Sequence, residues 1–83
     1  QTGSVSTTLP NNSTKSGNVT FDHAYAAAPI VMLTLKYAGS ATSTVIKLFV
    51  SSASTTGFTW YLSSSGSGTS AVEIWWEAIG TPA

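Results

Sequence analysis

Cysteine and arginine are both missing from this chain of 83 residues, and charge of either sign is scarce. Without cysteine there is no disulfide framework and no thiolate metal site. The single histidine, His23, cannot supply a histidine cluster within one protomer, so no metal and no cofactor is expected. The charged side chains are Lys15, Lys36, Lys47, Asp22, Glu73 and Glu77, which balance to a net charge of zero. Three lysines do not make the basic stripe that a phosphate backbone demands, so no nucleic-acid partner is expected. No run approaches the ~18 apolar residues of a membrane-spanning helix. No basic start followed by an apolar stretch marks a signal peptide. The opening Gln1-Thr2-Gly3, without Met, reads as a processed chain or a fragment of something longer. Helix signals are nearly absent: the one alanine-rich stretch, His23 to Ala28, is short and stopped by Pro29, so it reads as a loop or a single turn.

What remains is serine, threonine, glycine and asparagine around three Trp, three Tyr and three Phe. The aromatics and the β-branched apolar runs argue against disorder. The length suits one domain over residues 1–83. A domain this small is marginal alone, and with disulfides and metals removed, oligomerisation is the remaining support.

Gly, Ser, Asn and Thr divide the chain into β-like pieces. Expected strands are Ser4 to Thr8 around Val5, Asn18 to Asp22, Ile30 to Tyr37, Thr44 to Ser52, Phe58 to Leu62, and residues 71–79. Polar loops are expected at Leu9 to Gly17 and Ser63 to Ser70, and turns at Ala38 to Ser43 and Ser54 to Gly57. Short strands without helices imply an all-β fold, a six-stranded antiparallel β-sandwich. Its expected core is Val19, Phe21, Val31, Leu33, Leu35, Ile46, Leu48, Val50, Phe58, Trp60, Leu62, Val72, Ile74 and Trp76.

The last strand carries the strongest functional signal. Alternation puts Val72, Ile74, Trp76 and Ala78 on one face, and Glu73, Trp75, Glu77 and Ile79 on the other. Two adjacent tryptophans cannot both enter one small core, so Trp75 must meet a neighbouring subunit or a ligand. By the same parity Lys47 and Phe49 leave the core together, and Met32, Lys36 and Tyr61 are candidates to join such a face. We read Lys47, Phe49, Glu73, Trp75 and Glu77 as an oligomer interface, with Lys–Glu pairs set among apolar groups, because clustered exposed apolar residues mark contacts. The alternative is an ordinary solvated face with isolated aromatics.

A sugar site needs an aromatic face with amide, hydroxyl or charged groups to fix orientation. Candidates are Asn11, Asn12 and Lys15 in the first loop, Asp22 and His23 after the second strand, and Tyr37 and Tyr61 as walls. Asn-Asn and Asp-His serve equally as plain turn chemistry. No catalytic residue is assigned: Asp22 and His23 are adjacent, but a third member picked from so many serines has no weight, and no enzyme is expected.

Three ordered pieces resemble the H-type lectin domain of snail agglutinin and the discoidins, and the related C-terminal domains of phage tail fibres. They are Val19-Thr20-Phe21 with Tyr25 and Pro29-Ile30-Val31, then Thr56-Gly57-Phe58, then Val72-x-Ile74-x-Trp76-x-Ala78-Ile79-Gly80. Gln1-x-Gly3 also fits the usual start of that domain. The resemblance implies a six-stranded sandwich, a homotrimer packed sheet to sheet, sugar binding at clefts between protomers, and no catalysis. Snail-type lectins use an acidic residue in the first loop, where this chain has Asn11, Asn12, Ser13 and Lys15. They also use an arginine on the strand before the TGF turn, where Lys47 is the nearest cation.

The expectation from sequence is thus a trimeric module that binds cell-surface carbohydrate, on a phage tail fibre or similar receptor-binding protein, virion-borne or extracellular and not membrane-spanning. The second reading is a structural module that trimerises a fibre or decorates a virion and binds no ligand.

Overall fold

The computed structural model describes residues 1–8, 13–37, 46–65 and 71–83. Among them run six strands: β1 (Thr2–Thr8), β2 (Ser13–Thr20), β3 (Ile30–Tyr37), β4 (Ile46–Ala53), β5 (Gly57–Ser64) and β6 (Ala71–Ile79). All pairings are antiparallel, in two three-stranded sheets ordered β1-β6-β3 and β2-β5-β4. The sheets stack as the expected sandwich, and β5 and β6, which hold all the buried strand residues among those described, take the central places. No helix of the described residues is long and apolar enough to cross a membrane.

Alternation on the central strands holds. Phe58, Trp60 and Leu62 of β5 and Val72, Ile74 and Ala78 of β6 are buried. Val5, Val19, Val31, Leu33, Leu35, Ile46, Leu48, Val50 and Trp76 pack against them from the other strands and from β6 itself. Phe21 closes the terminal side of this core, with ring centroids 5.9 Å from Phe58 and 5.8 Å from Trp76, while Phe58 meets Trp76 at 5.4 Å. Such pairs add ~0.5–1.5 kcal/mol each beyond their area.

The first two strands depart from the sequence reading. β1 starts at Thr2, and β2 runs Ser13–Thr20, so Ser13 to Gly17, including Lys15, is strand where a loop is expected, and Phe21 and Asp22 follow the strand. The reason lies on the neighbouring strands. Gly17 is paired with Trp60, and Gly3 with Trp76. A Cβ at Gly17 would sit 2.5 Å from the Trp60 ring, and one at Gly3 2.7 Å from that of Trp76. Each edge strand therefore leaves a gap that a central-strand indole fills, a known device for edge glycines. The apolar half of the alternation is supplied by the partner, so the edge sequence reads as polar.

Two further bounds differ. β5 extends through Ser63 and Ser64, with Ser64 buried, where a polar loop is expected. β4 continues to Ala53 past an irregularity between Val50 and Ser52, while Thr44 and Val45 of the expected strand lie outside the described residues. The alanine-rich stretch is a connection, as expected, but Tyr25 within it is a core residue. It is buried, meets Phe21 edge-on at 5.1 Å, and its hydroxyl donates to the Ala78 carbonyl at 3.1 Å.

Register fixes the polarity of the molecule. The strand ends Thr8, Ser13, Tyr37, Ile46, Ser64 and Ala71 lie together at one end, from which the connections 9–12, 38–45 and 65–70 leave. The other end holds the connections 21–29 and 54–56 and both termini, tied by a Tyr25–Pro82 bridge and by Ala83 N donating to Ala24 O at 3.2 Å. The longest dimension of the described residues is 43 Å. Across the sandwich β3 approaches β4, with Cα atoms of the two strands within 8 Å of one another.

Candidate functional site

Two exposed aromatic faces stand on opposite sides of the sandwich. The outer face of β1-β6-β3 is centred on Trp75, 47% exposed, with Thr34 and Ser4 paired on either side of it. The Trp75 indole N–H donates to Glu73 Oε2 at 2.9 Å. The same carboxylate oxygen lies 4.0 Å from Lys36 Nζ, which itself sits 5.0 Å from the Trp75 ring centroid. Being largely exposed, this triangle contributes little stability, but it holds the indole in one orientation. Toward the terminal end the face turns apolar through Met32, Ile30 and Ile79, all exposed. An open cleft of about 600 Å³ runs across it, lined by Thr2, Ser4, Met32, Trp75 and Glu77 among others.

The outer face of β2-β5-β4 is centred on Phe49 and Tyr61, stacked at 4.7 Å with 25° between their planes. Lys47 and Ser63 pair next to them toward the loop end. Toward the terminal end the Thr59 hydroxyl donates to Asn18 Oδ1 at 2.7 Å, beside a small polar cleft over Ser52 and Thr56.

The interface candidates divide between the two outer faces. Lys47 and Phe49 share a face with Tyr61, while Glu73, Trp75 and Glu77 share the opposite face with Met32 and Lys36. Strand parity puts each of them outside the core but does not say which sheet a strand joins. No single surface of one protomer contains both groups.

The sugar candidates are divided as well. Lys15 is at the loop end of β2, and its ammonium donates to Thr7 Oγ1 (3.2 Å), Thr8 O (2.9 Å) and Thr8 Oγ1 (3.2 Å). It thereby ties one sheet to the other. Tyr61 stands mid-strand on the Phe49 face. Asp22 and His23 lie at the terminal end, both exposed, the length of the strands away from Lys15, so they join no site with it in one protomer. Among the described residues neither side chain has a hydrogen-bond partner, and no group of three potential metal ligands occurs. Asn11 and Asn12 lie outside the described residues, and Tyr37 is described only as the backbone partner of Val72.

Sequence reasoning also missed what Gln1 and Asn18 do. The Gln1 carboxamide donates to His23 O at 2.7 Å and accepts from His23 N at 3.2 Å, and its main-chain nitrogen donates to Ala78 O at 2.9 Å. The Gln1-x-Gly3 start thus combines a clip on the 21–29 connection with the opening for the Trp76 ring. Asn18 opens an expected strand, but its Thr59 partner depends on a register that the sequence does not show.

A small sandwich with two aromatic outer faces and one end that gathers three connections is a binding or assembly module, with no catalytic constellation among the described residues. The family model for the H-type lectin domain matches residues 16–79. The chain belongs to that family, whose members bind carbohydrate and are typically not enzymes. No significant match to the chain was found among curated proteins or among solved structures.

Proposed function

We propose that the chain is a carbohydrate-binding module that recognises cell-surface glycans as a homotrimer, at the tip of a phage tail fibre or a similar receptor-binding protein, on the virion or otherwise outside cells. The observation that carries this reading is membership of the H-type lectin family over residues 16–79, a span that takes in all of β3 to β6 and most of β2. The uncharged, hydroxyl-rich outer rows of β1 and β2 support it, since they offer many hydrogen-bonding groups and little charge. The sugar is expected in clefts between copies near the loop end, where Lys15 lies and where Asn11 and Asn12 connect. Each site is weak, and three presented together gain avidity.

The test is a glycan array followed by titration with host polysaccharide on the native particle. Saturable binding supports the reading. Blank results with a folded oligomer overturn it in favour of the second reading, a structural module that trimerises a fibre or decorates a virion. The lack of arginine and the all Ser, Gly and Thr stretch from Ser63 to Ser70 favour that alternative. Deletion separates the two in the parent particle: loss of adsorption with normal assembly belongs to a receptor binder, and loss of assembly to a structural module.

A further inference from the structure

We propose that the outer face of β2-β5-β4 carries a second saccharide subsite at its terminal end, where Asn18 and Thr59 hold a donor and an acceptor side by side for two adjacent hydroxyls of a neutral sugar ring. The inference deepens the lectin reading and rests on it for the class of ligand. It places the subsite toward the opposite end of the sandwich from the clefts proposed above.

Three observations carry it. First, the surroundings suit a neutral ligand. The register sets Asn18, Thr59 and Ser52 in one row across the three strands. That row and the 54–56 connection border a cleft of about 350 Å³, lined also by Ser54 and Thr56 and, among the described residues, by no charged side chain. An ion seated there would lose water without gaining a counter-charge. A ring of hydroxyls exchanges its water for an amide and side-chain hydroxyls.

Second, one hydrogen bond fixes which group donates and which accepts. A carboxamide offers one acceptor oxygen and an NH₂ donor, and a hydroxyl offers one proton and two lone pairs. The Thr59 hydroxyl spends its proton on Asn18 Oδ1, at 2.7 Å. Asn18 Nδ2, without a partner among the described residues, therefore turns both N–H groups outward, and Thr59 Oγ1 beside it is left as an acceptor. Neighbouring hydroxyls of a pyranose answer that pair: one accepts from Nδ2, and the next donates to Oγ1.

Third, the frame is set before a ligand arrives. Ser54 N donates to Gly57 O at 2.8 Å, and Thr56 N donates to Ser54 Oγ at 3.3 Å. A rigid site loses less freedom on binding. Tyr61, stacked on Phe49, lies two residues from Thr59 on the same face of β5, roughly 7 Å along the strand, and supplies an aromatic wall on the loop side. Asn18, Ser52, Ser54, Thr56 and Thr59 are not among the five side chains read from sequence as an oligomer interface, so the two assignments do not compete for the same groups.

The test is an NMR titration of the isotope-labelled native particle. Methyl galactoside, methyl glucoside and methyl mannoside are added in turn, with N-acetylneuraminic acid as the anionic probe. Asn18→Asp keeps the shape and removes the N–H donors; Thr59→Val keeps the branch and removes the acceptor. The expected result is saturable shifts at the Asn18 side-chain amide and the Thr59 main-chain amide with at least one neutral glycoside and none with the anion. Each variant should weaken binding, read at the Ser52 and Thr59 main-chain amides, by roughly tenfold at unchanged particle mass. Unchanged affinity in both variants would overturn the proposal, as would an anion that binds as well as the neutral sugars. Signals around Lys15 are scored separately. Saturation confined to them sinks the subsite and leaves the lectin reading standing, whereas the absence of any shift, with a blank glycan array, sinks both.

Discussion

At the scale of single residues, close approach decides more than polarity does. Gly57 faces Thr20 across the β2–β5 pair, and a Cβ there would collide with the Val19 carbonyl oxygen, which explains in steric terms why the TGF word carries glycine. Gly57→Ala is expected to cost about 1–3 kcal/mol, because backbone must shift to admit the methyl. For a domain this size each kcal/mol moves Tm by roughly 4–8 °C, so a thermal melt reads it directly. An unchanged Tm would show that this approach is slack. Lys15 is the second case. Lys15→Met keeps the aliphatic stem and removes three hydrogen bonds to Thr7 and Thr8. A loss of about 1 kcal/mol in denaturant unfolding is expected. Equal stability of the variant would show that the tie between sheets is dispensable.

At the scale of elements, what could be read from the sequence divides between strands that carry their own apolar face and strands that borrow one from a neighbour. β3, β5 and β6 announce themselves because each carries its own apolar face, and the outward placement of Trp75, Glu73 and Glu77 follows from counting by two. β1 and β2 hide because Trp76 and Trp60 fill the positions opposite Gly3 and Gly17. Pattern within one strand cannot show a side chain contributed by another. Parity likewise tells that Phe49 and Trp75 lie outside the core, whereas their membership of different sheets is a long-range fact. Tyr25 escaped for a related reason, since a loop residue can be core when a distant carbonyl, here that of Ala78, takes its hydroxyl. Gln1 holds the 21–29 connection through its side-chain amide, so Gln1→Ala should speed hydrogen exchange at the His23 amide while leaving β5 amides unchanged. Unaltered exchange at His23 would place the restraint elsewhere, on Tyr25.

At the scale of the whole molecule, the scarcity of charge makes its few ions legible in assembly. In the proposed oligomer Lys47→Glu replaces the cation available to pair with Glu73 or Glu77 of another copy, and should shift the particle toward monomer most strongly at low salt. Glu73→Lys added to it should restore the wild-type mass, and screening by ~0.5 M salt should shrink both effects, because the Debye length is then only a few ångströms. Light scattering across a salt series checks this, and a variant mass that ignores salt would deny the charges a part. The two ends of the sandwich have further meaning. Gln1 and Ala83 sit with the 21–29 and 54–56 connections, and the connections 9–12, 38–45 and 65–70 all leave from the opposite end. A carrier fused at either terminus thus departs at the pole remote from those three. In the proposed lectin the loop end, with its clefts for a glycan, is thereby remote from the attachment pole, and the frame built on Trp60, Trp76 and their facing glycines can be inherited as a cassette under different recognition sequences.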